Sequence, residues 1–112
     1  MDDIPRLSQK EMAILTLLLH YGEAYGLEMV EASGGFLKRG TIYVTLSRMA
    51  KKGYVDSREE PPKEGEIGPP RRVYWATGDG KRALNAWEMF LEQAKELRKL
   101  AQGAQPALGG AI

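Results

Sequence analysis

Apolar residues recur at helical spacing over the first half of the chain, alternate briefly, and return to a helical repeat near its end. Ser8-Gln9-Lys10-Glu11 has the form of a capping box, in which Ser8 and Glu11 each satisfy a free amide at a helix start. Leu7 and Met12 stand at the two positions of a hydrophobic staple. The helix that follows carries Met12, Ile14, Leu15, Leu17, Leu18 and Leu19 and is apolar nearly all round, as expected of a helix that is central to the core or sits between the core and a partner. Gly22 interrupts it. Tyr25 to Ala32 predicts a short second helix, stopped by Gly34-Gly35. A third helix is expected from about Thr41, with Gly53 as its C-terminal stop. In it Ile42, Leu46, Met49 and Ala50 follow the i, i+4, i+7, i+8 rule and form one apolar stripe. Val44, Ser47, Arg48 and Lys51 fall on the opposite side.

From Tyr54 the period changes to that of strands. Tyr54 to Arg58 and Arg71 to Ala76 predict two short strands. The loop between them, Glu59 to Pro70, holds four prolines and two glycines. The last helix is expected to start at Thr77 as N-cap and run to about Gln102. Ala83, Trp87, Phe90, Ala94, Leu97 and Ala101 repeat along it at alternating spacings of four and three, a heptad seam widened by Leu84 and Leu91. Three helices followed by a hairpin is the order of a winged helix-turn-helix, here with an extended turn between the second and third helices. The fold class is therefore mostly α with a small β-hairpin. The expected organisation is a winged helix-turn-helix over residues 1–76, a C-terminal dimerisation helix over 77–102 and a disordered tail over 103–112.

A helix that outruns a small domain needs a surface for its seam. A second copy of the chain is the economical one, since two-fold homodimers are the commonest assemblies. The expected dimer interface comprises Ala83, Trp87, Phe90, Leu91, Ala94, Leu97 and Ala101.

Composition narrows the chemistry. The chain has 112 residues, enough for one domain, and a formal net charge of +1, so a nucleic-acid partner would have to be recognised by a local patch. One exists: Lys38 to Gly53 contains five basic residues and no acidic one. With no cysteine and a single histidine, His20, thiolate metal sites and a metal-sensing role are disfavoured. No Ser-His-acid set and no phosphate-cradling glycine motif occurs, so catalysis, a cofactor and a metal are not expected. The acidic start lacks a signal peptide's apolar core, and Met12 to Leu19 is too short to span a bilayer. The expectation is a soluble cytoplasmic domain with no membrane partner.

Four blocks resemble the PadR family of bacterial transcriptional regulators. Leu15 to Leu19 followed by Tyr25-Gly26-Leu27-Glu28 is similar to that family's first two helices. Gly40-Thr41-Ile42-Tyr43 with Leu46, Arg48-Met49 and Gly53-Tyr54-Val55 resembles its recognition-helix block. Pro70-Arg71-Arg72-Val73-Tyr74 resembles the returning wing strand, and Thr77 with Gly80 the start of the C-terminal helix. The length is similar to that of the family's short branch. Two departures stand out: Val44 replaces the usual proline after the recognition-helix tyrosine, and Ala76 replaces the usual leucine before Thr77. The resemblance implies a bacterial or archaeal regulator of transcription, a homodimeric repressor, and binding of flat aromatic compounds in some members. That last property points to Trp87, with Phe90 and Leu15, as an effector pocket between subunits, the alternative being that Trp87 only fills the dimer interface with Phe90.

The expected DNA contacts follow from position. Lys38, Arg39 and Thr41 open the recognition helix, where side chains and the helix N-terminus meet phosphates and first bases. Arg39 suits a bidentate contact to guanine, Lys38 a phosphate. Val44 offers methyl groups to thymine, and Ser47, Arg48 and Lys51 face outward. Tyr43 either reaches a phosphate or packs between helix and wing. Arg71 and Arg72 open the second wing strand and alternate faces, so only one should point toward DNA. The wing tip is acidic: Glu59, Glu60, Glu64 and Glu66 outnumber Lys63. The rival reading is a winged-helix module for protein or RNA, its basic helix being only a solvated face.

Overall fold

The structure is a computed structural model and describes residues 4–103. Its elements are α1 (Gln9–Tyr21), β1 (Ala24–Tyr25), α2 (Gly26–Ala32), α3 (Ile42–Lys51), β2 (Val55–Glu60), β3 (Arg71–Ala76) and α4 (Gly78–Gly103). The expected tail lies outside the described residues except for Gly103, which ends α4.

The capping box forms as the sequence predicts. The Glu11 amide donates to the Ser8 hydroxyl at 3.1 Å, and the Ser8 amide donates to the Glu11 carboxylate at 2.9 Å. From there α1 runs as the core helix, with Ile14, Leu15 and Leu18 inaccessible. Met29 of α2 and Ile42, Leu46 and Met49 of α3 close the core around it. Each of these large side chains contributes roughly 1.5–3 kcal/mol by leaving water. Ala50, expected on the same stripe, is exposed. The buried face of α3 is thus narrower by one position than the stripe.

The extended turn between α2 and α3 is well organised. The Ser33 hydroxyl donates to the Val30 carbonyl at 2.7 Å and accepts from the Leu37 amide at 2.9 Å. Gly34 and Gly35 take positive φ, which only glycine adopts at little cost. Leu37 then plugs the core at 1% exposure. No periodicity marks it, since it stands in a turn with only the exposed Phe36 as an apolar neighbour.

The sheet has one more strand than the hairpin expected. Tyr25, expected to open the second helix, instead joins Ala24 in β1, which pairs antiparallel with β3, giving the order β1-β3-β2. Tyr25 therefore serves as the extended N-cap of α2 rather than its first residue. In the hairpin Val55 pairs with Ala76, and the ladder runs to Glu60 opposite Arg71.

Helix α4 begins against the core and then leaves it. Gly80, Ala83 and Leu84 are buried and Trp87 is half-buried, whereas every residue from 88 to 103 is exposed. At 1.5 Å per residue its 26 residues span about 39 Å.

Candidate nucleic-acid interface

The outer face of α3 and the turn before it form a continuous basic surface. Lys38, Arg39, Thr41, Tyr43, Val44, Ser47, Arg48 and Lys51 are all exposed, while Ile42, Leu46 and Met49 turn inward. Among the described residues none of Lys38, Arg39, Arg48 and Lys51 takes part in an ion pair. Their charge is projected into solvent uncompensated, the arrangement that attracts a polyanion. Lys52, next in sequence, behaves differently: its ammonium donates to the buried carboxylate of Glu11 at 2.8 Å.

Tyr43 does one of the two things its position allows. Its ring lies over Gly26, so close that a Cβ there would stand 2.7 Å from the ring edge. Gly26 is therefore needed for the contact between α2 and α3, although half of the tyrosine stays exposed. The ring and hydroxyl face the wing base, where Tyr43 lines a cleft of about 500 Å³ with Tyr25, Leu27, Arg71 and Arg72.

The wing is electrostatically different from α3. Both Arg71 and Arg72 are exposed, so the strand alternation does not hide one of them. They are the first two residues of β3, beside the loop that joins it to β2. The Arg72 guanidinium donates to the Ser57 hydroxyl at 3.2 Å and lies 3.9 Å from Glu59. Arg71 stacks over the Tyr25 ring at 5.3 Å and lies 3.7 Å from Glu66. Arg58 makes a two-pronged contact with Glu23, at 2.7 and 3.0 Å, and reaches Glu60 at 3.2 Å. The Arg58 hydrogen bonds hold the Glu23 carboxyl below its ordinary range. The Tyr25 hydroxyl donates to Glu60 at 2.5 Å, which pushes the phenol up and the carboxyl down. Arginine in the wing is thus countered by the chain's own carboxylates, while the cations of α3 are not.

Behind this surface Tyr74 is buried, and burial raises its phenol above the usual value. Arg72, on the same face of the sheet, opposes that shift.

The opposite end of the molecule carries the expected dimer seam. Ala83 is buried in its own subunit at 3% exposure and so is not available to a partner. Phe90, Leu91, Ala94, Leu97 and Ala101 are exposed, and Met89 and Leu100 add to the apolar surface. Trp87 and Phe90 stack on each other, centroids 5.1 Å apart and planes at 22°. Leu15, expected to line an effector pocket with them, is wholly inaccessible, because the first turn of α4 covers it at Gly80. Among the described residues no acidic, histidine or cysteine cluster could hold a metal, and no helix is long and apolar enough to cross a membrane.

Three helices, an ordered extended turn and a wing whose base abuts the third helix define a winged helix-turn-helix. The sequence model of the transcriptional regulator PadR-like family matches residues 14–86, and the chain belongs to that family. Among solved structures, a PadR family transcription regulator from Clostridium difficile is 27% identical, with 86% of this chain and 100% of that one covered and a TM-score of 0.65. A PadR-like transcription factor from Bacteroides fragilis is 25% identical over 80% of this chain and 85% of that one, at a TM-score of 0.67. Bacillus subtilis PadR, solved in complex with operator DNA, is 26% identical, with 69% of this chain and 45% of that one covered and a TM-score of 0.59. No curated protein matches the chain.

Proposed function

We propose that this chain is a sequence-specific DNA-binding repressor that works as a homodimer, each subunit placing α3 in a major groove. The observation that carries the reading is the outer face of α3 with the turn before it: four cations without ion-pair partners among the described residues, flanking Val44 and Ser47, beside a helix whose other face is locked into the core. Such a face offers donors to phosphates and base edges while its orientation is fixed from behind. The operator complex of Bacillus subtilis PadR supports the choice of double-stranded DNA as partner.

The uncovered seam of α4 supports the dimer. Exposed Phe90, Leu91 and Leu97 in heptad register form the stripe that a second copy of the same helix would bury. Two subunits so joined would present their α3 helices to half-sites about one helical turn, roughly 34 Å, apart. In the same reading, a flat aromatic effector binds at the dimer seam by stacking on the Trp87–Phe90 pair, without Leu15. It would release DNA only to the extent that it prefers one arrangement of the subunits over another.

The test is selection of duplexes from a random pool, followed by the charge reversals Arg39→Glu and Arg48→Glu. Recovery of a two-fold symmetric sequence, lost on reversal, is the expected result. Recovery of no common sequence, or binding that survives both reversals, contradicts the reading and favours the protein- or RNA-binding module.

A further inference from the structure

The C-terminal cap of α3 and the N-terminal cap of α4 are a single hydrogen-bonded unit. At the end of α3, Gly53 takes φ of 82°, its amide donates to the Ala50 carbonyl at 3.0 Å, and the Tyr54 amide donates to the Met49 carbonyl at 2.9 Å. These are the two bonds of a Schellman motif. It uses the amides of Gly53 and Tyr54 and leaves their carbonyls facing outward.

Both carbonyls are taken by Thr77. Its hydroxyl donates to the Gly53 carbonyl at 2.5 Å, and its amide donates to the Tyr54 carbonyl at 3.0 Å. The same hydroxyl accepts from the Gly80 amide at 3.0 Å, so one oxygen both caps α4 and ties it to α3. The fit leaves no room for a side chain. A Cβ on Gly80 would stand 2.1 Å from the Tyr54 carbonyl oxygen and 3.0 Å from a methyl carbon of Leu15.

The amide bond from Thr77 continues the β2–β3 ladder, in which Val55 pairs with Ala76, and any residue could make it. The hydroxyl bond is specific to the side chain. We infer that Thr77 is a positioning residue which sets the angle between the reading helix and the dimerisation helix, and through it the half-site spacing the protein accepts. This rests on the dimeric DNA-binding reading above. Any rotation of α4 at the dimer seam is passed to α3 through this joint, with no intervening flexible side chain.

Two substitutions separate tethering from capping. Thr77→Asp keeps an acceptor for the Gly80 amide, and aspartate is as good an N-cap, but its carboxylate has no proton to give the Gly53 carbonyl. Thr77→Ser keeps both bonds. Each protein is titrated with the duplex recovered by the wild type and with duplexes carrying one base pair more or fewer between half-sites. Circular dichroism establishes that both variants are folded.

Thr77→Asp is expected to lose roughly 2- to 10-fold of the discrimination between spacings, the range that one hydrogen bond commands. Its affinity for an isolated half-site stays unchanged, and Thr77→Ser behaves as wild type. A second readout does not depend on DNA. The chain has no cysteine, so Ala50→Cys, on the exposed end of α3, takes one spin label per subunit. The distance distribution between labels should be broader in Thr77→Asp than in Thr77→Ser.

Equal discrimination and equal widths in the two variants would overturn the assignment of Thr77 while leaving the dimeric regulator intact. A wild type indifferent to spacing would instead overturn the dimeric reading and this inference with it.

Discussion

Glu11, in the first turn of α1, accepts a hydrogen bond at 2.8 Å from Lys52 at the C-terminal cap of α3, although the two lie 41 residues apart. The carboxylate is nearly inaccessible and the ammonium is half exposed. Burial alone would raise the Glu11 carboxyl, but the bonds from Lys52 and Ser8 together outweigh it and hold the group below its ordinary value. A buried charge tolerates this because it keeps hydrogen-bond partners on both oxygens.

A carboxyl whose affinity for protons falls on folding stabilises the native state above its unfolded value. That contribution fades as pH drops through the folded value. Glu11→Gln should therefore lower stability by about 1 kcal/mol at neutral pH. The difference from wild type should stay constant down to the ordinary value of 4.5 and shrink below it. Thermal melts of both proteins over a pH series check this. A difference that grows on acidification contradicts the assignment.

Gly26→Ala puts a methyl group where the Tyr43 ring now lies. The ring is at a half-exposed edge and can swing away, so the stability cost should be below about 1 kcal/mol, under the usual range for overpacking a closed core. DNA affinity should fall because the ring leaves the wing cleft. In a Tyr43→Ala background the same glycine substitution should change nothing further, and a double-mutant cycle on DNA affinity measures the coupling.

In the proposed DNA complex, arginines of α3 and of the wing should not contribute equally. Arg48→Ala removes a cation with no ion-pair partner among the described residues and should reduce the slope of log K against log salt by about one. Arg72 already has Ser57 and Glu59 beside it, so Arg72→Ala should change the slope by less. Glu59→Gln should tighten binding modestly, because it frees Arg72 and removes a negative charge from the wing. Salt titrations of the three variants rank them, and a larger effect at Arg72 than at Arg48 contradicts the picture of a self-neutralised wing.

If α4 joins two subunits as proposed, Leu97→Glu should leave a folded monomer, since Leu97 is 67% exposed and touches none of the core. Sedimentation should give a monomer with an unchanged far-ultraviolet spectrum. Operator affinity should then fall to that of a single half-site.

Much of this architecture was legible in the sequence, for identifiable reasons. Periodicity located the four helices, and Ser8, Gly53 and Thr77 marked ends that the structure caps as expected. Signals with a period of a few residues survive because they depend on neighbours along the chain. What the pattern hid depends on contacts between distant segments. Two residues, Ala24 and Tyr25, are too few to show strand alternation, so β1 was invisible. Leu15 and Ala83 sit on apolar faces that suit a core or an interface equally, and only the packing of α4 on α1 assigns both to the core. The local pattern marks Glu11 as a cap alone, and nothing near it in sequence reveals Lys52 across the fold. The motifs around Gly53 and Thr77 were visible as separate blocks, while the bond that joins them was not.

Whether the outer face of α3 reads DNA is decided by fluorescence anisotropy. The protein is titrated onto the duplex upstream of its own gene and onto a scrambled duplex, at several salt concentrations. Tighter binding to the native sequence is expected, with a steep fall in affinity as salt rises, as several phosphate contacts require. Equally weak binding to both duplexes with little salt dependence would contradict it.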